Sequence, residues 1–313
     1  MIRPFDWRDV SLVKQLSDQG ICLDAIARLT RGSQPLQNAL FAYLMPGMGA
    51  PTLIWKDQGR SAFGQLRHRP GDEQARALFI APGWAEEPDG WLQLVDQLSV
   101  EAGERGGHNL IAEIDETSSE FEALRMAGFA IYARQSIWQL IGDPPATVPA
   151  LALRPATSAD ALNVNVLYAN IVPRLIQQVE PPPNPARGYV LEIADELVAF
   201  LDVRRGPLGI WVEPYVHPQA DHHSAELVNS ALHVLASANR AGRPIYVVVR
   251  RYQDWLQDIL QSVGFEYLGS QAVMVKRLAV RVTKAVRRPL PSMEGKATTT
   301  TPMAGIRLKT WKN

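Results

Sequence analysis

Residues Ile210–Leu235 run Ile-Trp-Val-Glu-Pro-Tyr-Val-His-Pro, then Gln-Ala-Asp-His-His-Ser, then Ala-Glu-Leu-Val-Asn-Ser-Ala-Leu-His-Val-Leu. The first nine predict a strand that stops at Pro218, because proline has no N–H to give to a ladder. The next six are polar and predict a loop. In the last part Leu227, Val228, Ala231, Leu232 and Leu235 recur at helical spacing, so one helix face is apolar. The helix start then faces the strand end, and free backbone N–H groups at such a start attract anions.

The pattern occurs a second time, 136 residues earlier. Pro218 corresponds to Pro82, Ala238 to Ala102, Gly242 to Gly106 and Leu260 to Leu124. Gly264-Phe265 corresponds to Gly128-Phe129, and Gln271 to Gln135. The openings also match, Ile2-Arg3-Pro4 with Asp9 and Leu153-Arg154-Pro155 with Asp160, but 151 residues apart. An ordered series at constant register indicates internal duplication. The second copy has lost about fifteen residues between its first strand and Pro218.

The Val216-His217-Pro218 strand end, its loop and helix, and the later helix ending in Gly264-Phe265 resemble the GNAT superfamily of acyl-CoA N-acyltransferases. The resemblance covers residues 1 to about 277. It implies an α/β fold of two tandem GNAT-like domains, each a mixed, mostly antiparallel sheet flanked by helices. The copies would span residues 1–141 and 151–277, joined by a proline-rich linker at 142–150. Residues 278–313 form a basic tail whose composition reads as disordered. Separate sheets are expected, and one continuous sheet, or halves that do not superpose, would end the case for two ancestral copies.

The same resemblance implies an acetyl-CoA (or other acyl-CoA) co-substrate and direct attack by an amine on its thioester. The acceptor would be a small-molecule or peptide amine. In that family the loop amides hold the CoA pyrophosphate and a splayed strand edge holds the pantetheine arm. Carried onto the second copy, this assigns Tyr215, Val216, His217, Gln219, His222, His223 and Ser224 to the cofactor. His222 and Ser224 stand where the family has glycines, and a side chain there costs about 1–2 kcal/mol if φ must be positive. The first copy's loop, Gly83 to Gly90, carries Glu86, Glu87 and Asp89, which repel a pyrophosphate. The second copy is therefore the better cofactor candidate, and the first reads as structural.

Many members of the family use a tyrosine four residues before the Gly of Gly-Phe as the acid, and both copies have leucine there, Leu124 and Leu260. Glu213 is the candidate general base and Tyr252 the candidate replacement acid. The competing readings are a solvated strand-edge carboxylate and a packing aromatic. His217, Asp221, His222 and His223 cluster, but adjacent loop histidines rarely close a metal site by themselves, so no metal is assigned. The lost glycines and tyrosines also support a different class of function: a degenerate tandem protein that binds a ligand or a protein through the old cleft. Peptidyl or aminoacyl transfer from another donor is a third option.

The chain carries 32 Lys and Arg against 32 Asp and Glu. Ten of the basic residues but only one acid lie from Lys276 onward, which leaves the preceding part with a net charge of −9. An acidic body argues against nucleic-acid binding by the folded part, whereas the basic tail leaves that open. Cys22 is the only cysteine, so no internal disulfide forms and a reducing compartment is expected. No apolar run approaches about 18 residues and the N-terminus has no signal-type apolar core. The expectation is a cytoplasmic protein without a membrane partner, with a dimer left open.

Overall fold

Alternation along the strands decides which side chains meet which helices. In the computed structural model, which describes residues 1–45, 49–142, 150–239 and 241–278, Val212 and Val216 join one apolar cluster and Tyr215 another. The linker at 143–149, the tail beyond Leu278 and the Asp221 side chain lie outside the described residues.

The first copy comprises β1 (Ile2–Pro4), α1 (Val10–Leu16), β2 (Ile21–Cys22), α2 (Ala25–Arg31), α3 (Pro35–Leu44), β3 (Thr52–Asp57), β4 (Arg60–His68), β5 (Gln74–Ala81), α4 (Pro88–Glu104), β6 (Asn109–Ile114), α5 (Ser119–Met126) and β7 (Ala130–Leu140). The second comprises β8 (Arg154–Pro155), α6 (Ala161–Ile171), α7 (Arg174–Gln177), β9 (Gly188–Ile193), β10 (Glu196–Arg205), β11 (Ile210–Val216), α8 (Ser224–Ser237), β12 (Ile245–Arg250), α9 (Leu256–Ser262) and β13 (Phe265–Arg277). From β3 to β6 each strand begins 136 residues before its counterpart in β9 to β12. The missing residues fall earlier: α2 and α3 of the first copy face only the four-residue α7 in the second.

The class is the expected one, a mixed and mostly antiparallel α/β sheet with helices on both faces. Among the described residues only β5–β6 and β11–β12 pair in parallel. The separation of the sheets is not as expected. One 13-stranded sheet runs β1-β3-β4-β5-β6-β13-β7-β12-β11-β10-β9-β8, with β2 attached to β5. Each copy has given its last strand to the other. β7 pairs only with β12 and β13, and β13 only with β6 and β7. The duplication survives this joining. Gln135 lies opposite Gln271 in the β7–β13 ladder, and its Nε2 donates to the Gln271 Oε1 at 3.1 Å. These residues are each other's counterparts, so a local two-fold passes between them. The described residues accordingly form one compact unit.

α4, α5, α8 and α9 cover one face around Trp91, Leu98, Leu227 and Leu260. α1, α2, α3 and α6 cover the other around Val13, Ala27 and Leu167. Among the described residues no helix is long and apolar enough to cross a membrane.

Both copies open with the same clamp. The Arg3 guanidinium donates to both Asp9 oxygens at 2.6 and 2.7 Å, and that of Arg154 to both Asp160 oxygens at 2.9 and 2.7 Å. Each aspartate also accepts a backbone N–H, from Asp6 and from Thr157. The Arg154 bonds hold the Asp160 carboxyl well below its ordinary range. A depressed carboxyl stabilises the fold above its unfolded value, near 3.9, and loses that contribution as pH falls through the folded value. Thermal melts below about pH 4 are expected to show a shallower acid limb for Asp160→Asn than for the parent chain. Identical limbs would show that the clamp is not what titrates.

Candidate functional site

The strand end and helix start converge as the 210–235 stretch predicts. β11 and β12 pair from Ile210–Ile245 to Val212–Val247, and then both continue without pairing. This divergence is where the resemblance places a pantetheine arm. It is closed here by a side chain. Gln253 accepts from the Val216 N–H at 2.8 Å and donates to the Pro214 carbonyl at 2.8 Å. A primary amide carries an N–H donor and a carbonyl acceptor on the same carbon, so it substitutes for a strand residue in the ladder. Gln253 is 2% exposed. Beside this gap, Val216, Leu227, Ala231, Leu256 and Leu260 line an apolar cavity of about 40 Å³. That is little more than one water's share of liquid volume.

The first copy closes the equivalent gap with main chain. Ile21 and Cys22 pair with Ile80 and Phe79. The Leu23 N–H donates to the Leu78 carbonyl at 3.0 Å, and the Glu113 N–H donates to the Leu23 carbonyl at 2.8 Å. Leu23, 1% exposed, packs into the apolar cluster that holds Trp91 and Phe121. The loop after β5 is also occupied. The Gly83 N–H donates to the Gln19 carbonyl and the Trp84 N–H to the Glu120 carboxylate. Gly90, the one glycine at a family position, has a packing reason: a Cβ there would sit 2.7 Å from the Trp55 ring.

The second copy's loop is a short 3-10 helix, Pro218–His223, running straight into α8. Gln219 donates its N–H to His217 Nδ1 at 3.3 Å, and His223 Nδ1 lies 2.9 Å from a Glu226 oxygen. The Ser224 hydroxyl donates to the Ala220 carbonyl. His222 is exposed, and Tyr215 is buried against Tyr168 and Phe200. Among the described residues no three His, Cys, Asp or Glu side chains come together as a metal-binding group.

Glu213 is neither solvated nor free. It is 5% exposed, and Arg250 Nε donates to it at 3.1 Å. Burial alone would raise its carboxyl, but the Arg250 and Arg204 charges outweigh that and hold it ionised. Arg250 also donates to Glu180 at 2.9 Å. Burial, and then the Glu213 charge, push the Tyr252 phenol far above its ordinary value, so it keeps its proton. A weaker acid gives less driving force for protonating a thiolate.

A much larger recess lies on the other face of the sheet. It is a cleft of about 1180 Å³ between the halves, with Arg67, Arg76, Asp202, Arg204, Glu213, Tyr215 and Arg250 on its walls. Its buried charges are paired. Arg67 bonds Asp24, Arg76 bonds Glu113 at 2.7 Å, and Arg204 bonds Asp202 at 3.0 Å. Asp202 and Glu213 are direct neighbours across β10 and β11. Burial pushes the Asp202 carboxyl up, and Arg204 only partly offsets it.

Two solved structures align over most of the chain. A GCN5-related N-acetyltransferase from Sphaerobacter thermophilus matches with a TM-score of 0.58 at 13% identity, over 88% of this chain and 95% of that one. A tandem GNAT protein from the clavulanic acid biosynthesis pathway matches with a TM-score of 0.51 at 16% identity, over 88% and 98%. The fold is a tandem GNAT fold. At these identities the likeness concerns architecture alone. Neither a family model nor a curated protein matches the sequence.

Sequence reasoning about this fold passed over Leu23, Glu180, Arg250 and Gln253. Arg250 had a legible signal, the first of two adjacent arginines that end the apolar run Ile245–Val249. Gln253 had none, because a glutamine after a strand is ordinary.

Proposed function

We propose that this chain uses the tandem GNAT fold as a binding scaffold for a small polar ligand, held in the central charged cleft, and that neither half carries out acyl-CoA chemistry. The observation that carries this reading is the closure of both strand gaps, by the Leu23 main chain in one copy and the Gln253 amide in the other. The backbone N–H that a pantetheine carbonyl would need at Val216 is already spent. The copy boundaries, 1–141 and 151–277, belong to this proposal as marks of the ancestral units.

A second reading, acyl transfer by the second copy, is favoured by one observation. Its gap is closed by a side chain, which can rotate, and not by main chain. Glu213 and Tyr252 would then serve as base and acid. Tyr215, Val216, His217, Gln219, His222, His223 and Ser224 would line the acetyl-CoA path to an amine acceptor. Calorimetric titration with acetyl-CoA separates the two. The scaffold reading expects no saturable heat up to about 1 mM, weaker than about −4 kcal/mol. Gln253→Ala, which unblocks the gap, is expected to leave that result unchanged because the Gln219 and Ala220 N–H groups remain bonded to His217. Saturable binding to the parent chain would establish the second reading instead.

A further inference from the structure

Two buried polar atoms in the cleft have no partner among the described residues: Arg250 Nη1, a donor, and Asp202 Oδ1, an acceptor. Their side chains are otherwise well bonded, Arg250 to Glu213 and Glu180, and Asp202 to Arg204. An unsatisfied buried group costs about 1–3 kcal/mol, so two in one recess are an expensive coincidence unless something completes them. They flank the same carboxylate. Glu213 is the cross-strand neighbour of Asp202 and the ion-pair partner of Arg250. Asp202 and Arg250 stand on β10 and β12, two strand spacings or about 10 Å apart at the backbone, and both side chains reach toward Glu213 on β11 between them, so one molecule with separated charges can meet both.

The charges around them are segregated. On the floor Glu180, Asp202 and Glu213 stand among Arg67, Arg76, Arg204 and Arg250, and Asp24 and Glu113, which do not line the cleft, bond Arg67 and Arg76 from behind, so the nine groups together carry a surplus of one negative charge. At the mouth Arg31, Arg69, Arg187 and Arg205 are exposed and have no ion-pair partner among the described residues, and with the exposed acids Asp72 and Glu73 beside them the rim keeps a net of two positive charges. A positive rim draws anions inward, and a negative floor then favours a cationic group.

We infer that the cleft binds a compact zwitterion, whose ammonium donates to Asp202 and whose carboxylate or phosphate accepts from Arg250. This rests on the scaffold reading above and adds the ligand's chemical class to it. Binding is by charge and hydrogen bonds alone, and no bond is made or broken.

The test is calorimetric titration of the full chain with glycine, L-glutamate, γ-aminobutyrate and 3-aminopropyl phosphate, with acetate and propylamine as single-charge controls. At least one zwitterion is expected to bind saturably and more tightly than either control. Asp202→Asn is expected to weaken it about tenfold or more, with an unchanged circular dichroism spectrum. The surface variant Arg187→Gln, which leaves the core intact, is expected to weaken it several-fold and to reduce its salt dependence. Silence of all four zwitterions to about 10 mM, or acetate binding as tightly as the best of them, would overturn the inference. So would an unaltered affinity in both variants. Acetyl-CoA titrated alongside keeps the failures apart: its binding overturns the scaffold, whereas silent zwitterions without it overturn this inference alone.

Discussion

Expressed by itself, the N-terminal half (residues 1–142) is expected not to reach a folded state. Its last strand, β7, draws every ladder partner from the other half: Gln135–Gln139 bond β12, and Ala130–Leu140 bond β13. Without β13 the β6 edge is also open, and Leu110, Ala112 and Val273 sit at that junction. An unpaired apolar edge beside a strand with no partner invites aggregation. The cost is not a few kcal/mol but the loss of the cooperative transition. Residues 1–142 and 150–278 produced together are expected to form a soluble complex with the melting behaviour of the joined chain. A monomeric, cooperatively melting 1–142 fragment would show that the exchange is not needed for folding.

The second large effect concerns Arg250. Its side chain is 5% exposed and holds two carboxylates, Glu213 and Glu180. Burial pulls its guanidinium down, but those two charges more than offset this and keep it protonated. Arg250→Met removes the cation and leaves both acids buried without it. Breaking a buried pair from one side typically costs about 3–5 kcal/mol, and denaturant unfolding is expected to show a loss of that size. The double variant Arg250→Met, Glu213→Gln is expected to recover part of it, since one stranded charge is gone. A loss below about 1 kcal/mol, the range of exposed pairs, would mean that water reaches these groups.

Much of the fold could be read from the sequence because the duplication repeats strong local signals. Pro82 and Pro218 end strands, and Gly128 and Gly264 follow helices at positive φ. The clamp aspartates Asp9 and Asp160 recur at their own offset. Strand exchange could not be read, because a strand's alternation fixes its faces and not its neighbours. Ile21 to Leu29 illustrates a misread boundary. Its apolar spacing suits a helix throughout, yet the helix starts at Ala25, and Ile21 to Leu23 fill the strand gap. The missed signal was Asp24, whose carboxylate accepts the Ala27 N–H at 2.9 Å as a helix cap.

The site was harder for a physical reason. Lost loop glycines show in a sequence, but what fills the vacated space does not. Leu23 and Gln253 are separated from the residues they bridge by the fold. The strand carboxylates at the cleft were visible only as charges within apolar runs, as with Glu213 between Val212 and Pro214. Glu213 was noticed for its place on the supposed cofactor strand, but its partner lies on β12.

A crystal structure of the full chain grown with several millimolar acetyl-CoA addresses the central claim most directly. The account predicts no pantetheine between β11 and β12, Gln253 still bridging Val216 and Pro214, and Leu23 still bonded to Leu78 and Glu113. Pantetheine density in the β11–β12 gap, with Gln253 rotated away and the diphosphate on the Pro218–Ser224 turn, would contradict it.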